Sequence, residues 1–434
     1  MLSVQSSKRY NHIDKSRIKL LDCLSFLVPF SSFIKMDIIG RLYLTDILLL
    51  CLLPYLFAKR GKRLFSKLPI TTIILLIFWL IFQIISDLIN ESDFHNFVRG
   101  WAMIIFTLIN FSALYLLLHG NTKRLITYAV GLASGEIIGY LISPTSYSIA
   151  HPWKFGYGHS ITLLLIIGTI LINQKQKIFR YWPSVGMFIV STINLIMGTR
   201  AVSGVTFLSG CYMVFSERNR SNKRNIKNNI KQLMLIAFLM IAGAWGVISI
   251  YKYTVLNGYL GQKALQKYEM QAYGKYGLVL GGRSEVLVSG LAVLDSPVIG
   301  HGSWAKDCRY ASLYTDIKKH EGYDSGENYQ DCLIPTHSHL MGAWVQAGVF
   351  GAIFWLWIFT LPCRCLMNTF NKYSKLTPLV VYAAFMLIWD ILFSPYGAER
   401  RFITPYYIVL MISFLPINTN IAQSSTRIKY SIFK

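Results

Sequence analysis

Histidine and arginine side chains are the residues best suited to carry out chemistry in this chain. His337 lies in the run Pro335–His339, directly before an apolar segment with the length of a helix. The N-terminal end of a helix favours neutral imidazole, and a neutral imidazole can accept a proton from a hydroxyl group. The position of His337 therefore predicts a general base, with a capping or interfacial histidine as the structural alternative.

His339 and His301 are weaker candidates, which we assign to substrate binding. His339 follows His337 by two residues, so its side chain points to a different face of the helix. The three histidines could instead ligate a metal ion. However, no carboxylate or cysteine stands at a recognisable ligand spacing from them, and we expect no metal.

The arginines next to apolar segments form the second group of candidates. Arg200 stands between two apolar runs, Arg283 opens a helical stretch of a long polar segment, and Arg400 and Arg401 precede the last apolar run. Charges near membrane depth are costly and are therefore often functional. The alternative for Arg200 is an interfacial side chain that reaches outward to water, and for Arg283 an ordinary surface residue.

Three acidic residues, Asp46, Glu136 and Asp390, lie within apolar runs. Proton-coupled transporters use such residues, but interhelical hydrogen bonding is the simpler interpretation of each. The chain contains no Walker A sequence, no Gly-x-Ser-x-Gly and no His-Glu-x-x-His, so ATP-driven transport and the common hydrolase mechanisms are not supported.

The elements that must position these residues are membrane helices. Hydrophobic residues make up 53% of the chain and charged residues 15%, and the apolar runs are long enough to cross a bilayer core of about 30 Å. In lipid such runs must be helical, because no water is present to bind their backbone groups. We predict an all-α integral membrane protein with about 12 transmembrane helices, at residues 20–34, 42–58, 68–89, 101–118, 125–145, 158–173, 181–198, 201–215, 232–252, 339–361, 377–395 and 403–417.

The distribution of basic residues predicts the orientation of these helices. Most of the 43 Lys and Arg residues fall in the two tails and in alternate short connectors, which follows the positive-inside rule. This places both termini in the cytoplasm, and it explains the net charge of +23 without a nucleic-acid partner. The chain then divides into helices 1–9 (residues 1–252), one large external loop (253–338) and helices 10–12 (339–434).

Two of the seven cysteines, Cys308 and Cys332, fall in the external loop. In an oxidising compartment they can form a disulfide, which we predict; the alternative is a pair of free thiols.

The segment that begins at His337 resembles the signature of the O-antigen ligase and O-antigen polymerase superfamily. In that signature a histidine, usually followed by Asn, precedes a helix and a Gly-x-x-Gly motif. His337, Gly348 and Gly351 take the matching positions here, whereas Ser338 replaces the usual Asn and Gln346 stands where Glu is common.

Two further stretches resemble motifs of the same superfamily. The block from Gly282–Glu285 to Pro297–Gly302 is similar to its Gly-Arg and Pro-x-x-Gly-x-Gly stretch, and Thr199–Arg200 is similar to its Ser-Arg motif. The three motifs occur in the expected order and cover roughly residues 150–360.

The resemblance implies a membrane glycosyltransferase of the GT-C type that acts at the periplasmic face of a bacterial inner membrane. Its donor would be a glycan on undecaprenyl diphosphate, and its acceptor another glycan or lipid A–core. Arg200 and Arg283, with Arg400 or Arg401, would bind the diphosphate as bidentate guanidinium groups, and His337 would deprotonate the acceptor hydroxyl. No cofactor is implied.

The resemblance leaves the acceptor open. A polymerase joins lipid-linked repeat units of O-antigen or exopolysaccharide, whereas a ligase transfers the glycan to lipid A–core in lipopolysaccharide biosynthesis. The stretch 393–401 favours a polymerase, which would work with a chain-length regulator or a flippase. A transporter of polysaccharide or carrier lipid is the alternative from another class, although the chain shows none of the internal repeats common in transporters.

Overall fold

The computed structural model describes residues 20–176, 179–221, 248–259, 261–273, 284–320, 331–371 and 373–415, together with positions 234, 238, 245 and 246. Helices dominate this part of the chain. They are α1 (Leu20–Phe33), α2 (Leu44–Arg60), α3 (Lys67–Ile89), α4 (Phe94–Leu118), α5 (Thr122–Ile142), α6 (Ser146–Ala150), α7 (Gly158–Gln176), α8 (Trp182–Ile196), α9 (Arg200–Ser221), α10 (Gln262–Tyr273), α11 (Glu285–Asp295), α12 (Cys308–His320), α13 (His339–Asn371), α14 (Thr377–Phe393) and α15 (Arg400–Phe414).

Helices α1–α5, α7–α9 and α13–α15 overlap eleven of the predicted segments, whereas the predicted segment 232–252 lies largely outside the described residues. In the described part of the chain, four helices are long and apolar enough to cross a membrane: α3, α4, α5 and α13 up to Phe370. Shorter apolar helices occupy Leu20–Phe33, Gly158–Asn173, Trp182–Ile196 and Thr377–Phe393. The protein is therefore mainly helical with several candidate membrane spans, while the full count of twelve stays a prediction.

A two-stranded sheet in the described part of the chain was not predicted. Strands β1 (Lys35–Asp37) and β2 (Arg41–Tyr43) form an antiparallel hairpin between α1 and α2, with Asp37 opposite Arg41. The predicted second helix begins at residue 42, whereas α2 begins at Leu44. The carboxylate of Asp46 sets this boundary, because its Oδ2 accepts a hydrogen bond of 3.2 Å from the amide of Tyr43.

The centre of the bundle is formed by α14 and α15. Nearly all of their side chains are buried, including Tyr382, Tyr406 and Tyr407. By contrast, α3 exposes a row of large apolar side chains, among them Ile74, Phe78 and Ile81. Such a surface is unfavourable in water but is what a helix at the edge of a membrane bundle presents to lipid.

Contacts between helix termini indicate which termini lie together at each end of the bundle. At the end that carries His337, which we call the His337 end, Ser338 Oγ donates to the Ile391 carbonyl. At the opposite end, Arg60 donates to the Leu116 carbonyl. These contacts bring the start of α13 to the end of α14, and the end of α2 to the end of α4.

Candidate functional site

His337 lies beside Glu285, the first residue of α11. The His337 Nδ1 atom is 4.0 Å from Glu285 Oε1, and the imidazole is 45% exposed whereas the carboxylate is 11% exposed. Glu285 is two residues after Arg283 in the chain, so the structure brings the end of the Gly282–Glu285 block to the histidine. An accessible imidazole next to a buried carboxylate is a suitable arrangement for accepting a proton.

Tyr314 of α12 contacts the same oxygen of the Glu285 carboxylate. Its hydroxyl donates a 2.7 Å hydrogen bond to Glu285 Oε1. The second carboxylate oxygen, Oε2, is buried and has no hydrogen-bond partner among the described residues. A buried carboxylate oxygen without a donor is costly, so Glu285 retains capacity to accept one further hydrogen bond at this site.

The chain segment that leads into His337 is fixed by the disulfide that the sequence predicted. Cys308, at the start of α12, is bonded to Cys332. Backbone hydrogen bonds run beside it, from the Asp307 amide to the Cys332 carbonyl (2.7 Å) and from the Ile334 amide to the Ala305 carbonyl (3.1 Å). The disulfide therefore joins the helix that carries Tyr314 to the segment that carries His337.

Two of the glycine motifs pack directly against each other. Gly348 lies inside α13 with φ of 64° and ψ of −160°, where the helix is kinked. A Cβ atom at Gly348 would be 1.9 Å from the Val298 carbonyl oxygen, and one at Gly300 would be 2.6 Å from the Gly348 nitrogen. These two glycines allow the Pro297–Gly302 stretch to approach the α13 backbone.

Hydrogen bonds close this contact. The His301 and Gly302 amides donate to the carbonyls of Val345 (2.7 Å) and Gln346 (3.1 Å), which the kink leaves without helical partners. The Val349 amide donates in return to the Pro297 carbonyl at 2.9 Å. The loop stretch thus completes the hydrogen bonding of the broken helix.

Asp87 near the end of α3 binds the next residue of the loop. Its Oδ1 accepts a 2.5 Å hydrogen bond from the Ser303 amide, and its Oδ2 accepts hydrogen bonds of 2.7 Å from the Ser303 hydroxyl and from Trp101 Nε1. The guanidinium of Arg99 lies 3.8 Å from the centroid of the Trp304 ring. The loop is therefore held to the His337 end of α3 and α4.

Of the two predicted catalytic arginines, the structure describes Arg200 alone. Arg283 lies outside the described residues. Arg200 begins α9, and its guanidinium lies over the Tyr251 ring at 4.6 Å from the centroid. The turn before it is fixed by Thr199, whose hydroxyl donates to the Asn194 carbonyl at 3.0 Å.

Arg400 and Arg401 are each engaged by a buried carboxylate. Arg400 donates a 2.6 Å hydrogen bond to Asp390, and Arg401 donates one of 2.8 Å to Asp46. The Arg401 side chain is 5% exposed and also donates to the backbone carbonyl of Arg41 at 2.6 Å. This geometry favours a structural role for Arg401 over the substrate binding we expected, while Arg400, with 22% of its side chain exposed, remains more accessible.

His339 and His301 also make internal contacts. His339 is fully buried against Trp355 and Tyr396, and its Nδ1 lies 2.6 Å from the Ser394 carbonyl, to which it must donate. His301 Nε2 lies 2.7 Å from the Ala292 carbonyl. Both imidazoles therefore hold neighbouring segments together, a role different from the predicted substrate binding.

Two other ionisable groups in the loop, Asp307 and Tyr310, have pKa values that are shifted further from neutral pH. A hydrogen bond from Arg309 lowers the pKa of Asp307, although burial opposes this effect. Burial raises the pKa of Tyr310 to about 12, and the neighbouring Asp295 acts in the same direction. Neither group changes its charge near neutral pH, so neither competes with His337 as a candidate proton acceptor.

Glu285 and Tyr314 were not assigned a role from the sequence. Glu285 was part of the quoted motif, but a carboxylate at the start of a helix is equally explained by the favourable helix dipole. Tyr314 lies 29 residues further along the chain, and no motif marks it. The contacts of Glu285 with His337 and with Tyr314 depend on how α11 and α12 fold back onto the start of α13.

Comparisons of the chain with protein-family models, with curated proteins and with solved structures find no match.

Proposed function

We propose that the protein is a membrane glycosyltransferase that transfers a glycan from undecaprenyl diphosphate to the hydroxyl of an acceptor sugar. The observation that carries this proposal is the contact between His337 and Glu285. These two residues belong to separate motifs of the resemblance and are 52 positions apart in the chain. In the structure, His337 Nδ1 lies 4.0 Å from Glu285 Oε1. The close packing of the Pro297–Gly302 stretch on Gly348 supports it, because a second pair of segments from these motifs also meets at this end.

In the proposed reaction the acceptor hydroxyl oxygen attacks the anomeric carbon of the donor sugar. The bond from that carbon to the diphosphate oxygen breaks, the diphosphate leaves with the electron pair, and the configuration inverts. The hydroxyl proton passes to the imidazole of His337, while Glu285 stabilises the imidazolium that forms. Arg200 and Arg283 are proposed to bind the leaving diphosphate.

The proposed acceptor is a second lipid-linked repeat unit, which makes the protein a polymerase of O-antigen or exopolysaccharide at the periplasmic face of the inner membrane. A ligase would use the same donor and the same proton transfer, but its acceptor would be lipid A–core. A gel of surface glycan from a deletion strain separates the two. A single repeat unit on the core indicates a lost polymerase, whereas bare core with polymer left on the carrier lipid indicates a lost ligase.

The site assignment is tested by alanine variants of His337, Arg200 and Arg283. Each is expected to abolish long-chain glycan while the protein still inserts in the membrane, and loss of a general base typically costs about 10²–10⁴-fold in rate. His95→Ala is the matched control, because His95 is exposed at the same end of the bundle and outside the proposed site. Wild-type glycan from all three variants would overturn the assignment.

A further inference from the structure

The three acidic residues inside apolar helices differ in how they are neutralised. Asp46 receives a hydrogen bond from Arg401 at 2.8 Å, and Asp390 receives one from Arg400 at 2.6 Å. Glu136 of α5 receives only the Ser160 hydroxyl, at 2.5 Å from its Oε2. Among the described residues, Glu136 is therefore the one acid of the three without a cation in contact.

Among the described residues, one cation, Arg400, lies within electrostatic range of Glu136. Asp390 already takes up the charge of Arg400 at close contact. Ser160 of α7 contacts the carboxylate, and the charged and titratable groups within electrostatic range of it are Tyr128 of α5, Tyr382 of α14, Tyr407 and Arg400 of α15, and Glu399 before α15. Glu399 is exposed and adds a negative charge, so it does not neutralise Glu136.

The residue next to Ser160 is a histidine in a chain of hydrogen bonds. His159 Nδ1 lies 3.3 Å from the Tyr382 hydroxyl, and His159 Nε2 lies 3.2 Å from the Tyr407 hydroxyl. A neutral imidazole has one N–H and one lone pair, so one tyrosine accepts and the other donates. When the two tyrosines exchange the roles of donor and acceptor, a proton moves along this series of hydrogen bonds while the heavy atoms stay in place.

The charges of Arg400, Asp390 and Glu136 balance only if the cluster binds one further proton. The pair of Arg400 and Asp390 is neutral, and Glu136 then carries an uncompensated negative charge unless it or His159 binds a proton. An isolated charge in a low-dielectric bundle is strongly disfavoured, and so is a pair of opposite charges without further donors. Placing the proton on Glu136 leaves both groups neutral and satisfies the Ser160 contact.

We propose that Glu136 is a proton-binding site within the helical bundle, and that the chain Tyr382–His159–Tyr407 relays its proton. The ligand is a single proton, which converts the Glu136 carboxylate to a carboxylic acid when it binds and leaves the carboxylate when it is released. Glu136 lies near the C-terminal end of α5 and Ser160 near the N-terminal end of α7, so exchange takes place toward the His337 end. The inference does not depend on the proposed glycan transfer.

The first test uses dicyclohexylcarbodiimide, which modifies protonated carboxylic acids in apolar surroundings. Membranes that contain the full-length protein are treated over a series of pH values, and the modified peptides are identified by mass spectrometry. We expect Glu136 to be modified at acid pH and the modification to fall as the pH rises. Asp46 and Asp390 are matched internal controls, which we expect to stay unmodified because each is ion-paired.

The second test does not require a reagent to reach the site. Infrared difference spectra of the purified protein between acid and alkaline pH should contain the carbonyl stretch of a protonated carboxylic acid. We expect this band to disappear in Glu136→Gln and to persist in Asp390→Asn. In Tyr382→Phe/Tyr407→Phe, whose side chains keep their volume, we expect the band to remain and the rate of proton exchange to fall.

Three results would overturn the proposal. These are the absence of both the modification and the band at every pH, a band that survives in Glu136→Gln, and modification of Asp46 or Asp390 in preference to Glu136. Loss of long-chain glycan in Glu136→Gln is not required, so failure of this proposal and failure of the proposed function are distinguishable.

Discussion

A carboxylate beside an imidazole fixes the ring by accepting a hydrogen bond from one nitrogen, which leaves the other nitrogen free to act on a substrate. The 4.0 Å separation of His337 Nδ1 and Glu285 Oε1 is slightly longer than a hydrogen bond, and a small rotation of the exposed imidazole would close it. Such contacts often tighten only when a substrate binds. Glu285 is therefore a positioning residue in the proposed reaction.

This role makes the effects of two substitutions non-additive. Glu285→Gln is expected to lower the transfer rate, because the amide cannot stabilise the imidazolium. The same substitution in a His337→Ala background is expected to cause little further loss, because the group on which it acts is gone. The rates are measured with lipid-linked substrate, and Glu285→Asp should restore part of the activity.

A purely structural role for Glu285 predicts a different pattern. Its substitution would then lower the thermal stability of the protein and would reduce activity equally in both backgrounds. Equal losses with a lowered melting temperature would contradict the positioning role.

Arg401 and Asp46 are paired deep between α2, α4 and α15. Their side chains are 5% and 0% exposed, and Asn110 Nδ2 donates to both Asp46 Oδ1 (2.7 Å) and the Arg401 carbonyl (3.0 Å). Removing one partner leaves the other charge buried and unpaired. We expect Asp46→Asn to destabilise the protein by roughly 3–5 kcal/mol.

Thermal unfolding in detergent measures this effect. The matched control is Arg309→Ala, which breaks the ion pair with Asp307 at a site where the arginine side chain is 78% exposed. We expect no measurable change in melting temperature for the control, because solvent screens such pairs. Equal melting temperatures of Asp46→Asn and wild type would show that Arg401 is not held by this pair.

At the scale of secondary structure, the kink of α13 determines how the external loop meets the bundle. The φ angle of 64° at Gly348 is in a region that residues with a side chain rarely adopt. The break also turns the carbonyls of Val345 and Gln346 toward the Pro297–Gly302 stretch, which supplies their donors. Continuous helix at this point would remove the attachment of the loop.

Gly348→Ala is therefore expected to loosen the loop, because its Cβ would be 1.9 Å from the Val298 carbonyl oxygen. We expect increased protease cleavage within residues 284–320 and loss of long-chain glycan. Gly168→Ala in α7 is the matched control, since a Cβ there would meet nothing within 4 Å. Protease resistance equal to that of wild type in Gly348→Ala would contradict the close packing of the two motifs.

At the scale of the whole molecule, the two ends of the bundle carry different chemistry. The His337 end gathers His337 with Glu285, the Arg400–Asp390 pair and the packed glycine motifs. The opposite end holds ion pairs such as Arg124 with Asp22 at 2.7 Å. A reaction on a lipid-linked substrate would therefore take place at one face of the membrane only.

This separation predicts which positions are accessible from the same side. In a variant without the five free cysteines, new cysteines at Tyr147 and Pro395 should react with a membrane-impermeant maleimide in intact spheroplasts. Cysteines at Lys62 and Gly120 should react only after the membrane is permeabilised. Labelling of all four positions in intact cells would contradict the predicted sidedness.

The sequence predicted the helices because their physical cause is local. Apolar runs such as Lys67–Ile89 must be helical in lipid, and Pro297 ends α11 because proline cannot continue a helix. The disulfide between Cys308 and Cys332 was also foreseen, because few cysteines share the loop. The hairpin before α2 was missed, since its strands are three residues each and carry little periodic signal.

What the sequence by itself determined is the set of membrane-type helices and the residue types able to act on a phosphate or a hydroxyl, because hydrophobicity and side-chain chemistry are properties of single segments. The tertiary structure alone decided which charges are neutralised and which are not. Arg401 and Asp46 are 355 residues apart, and Glu136 and Ser160 are 24 residues apart. Both relationships depend on how distant helices pack, and no local pattern encodes that packing.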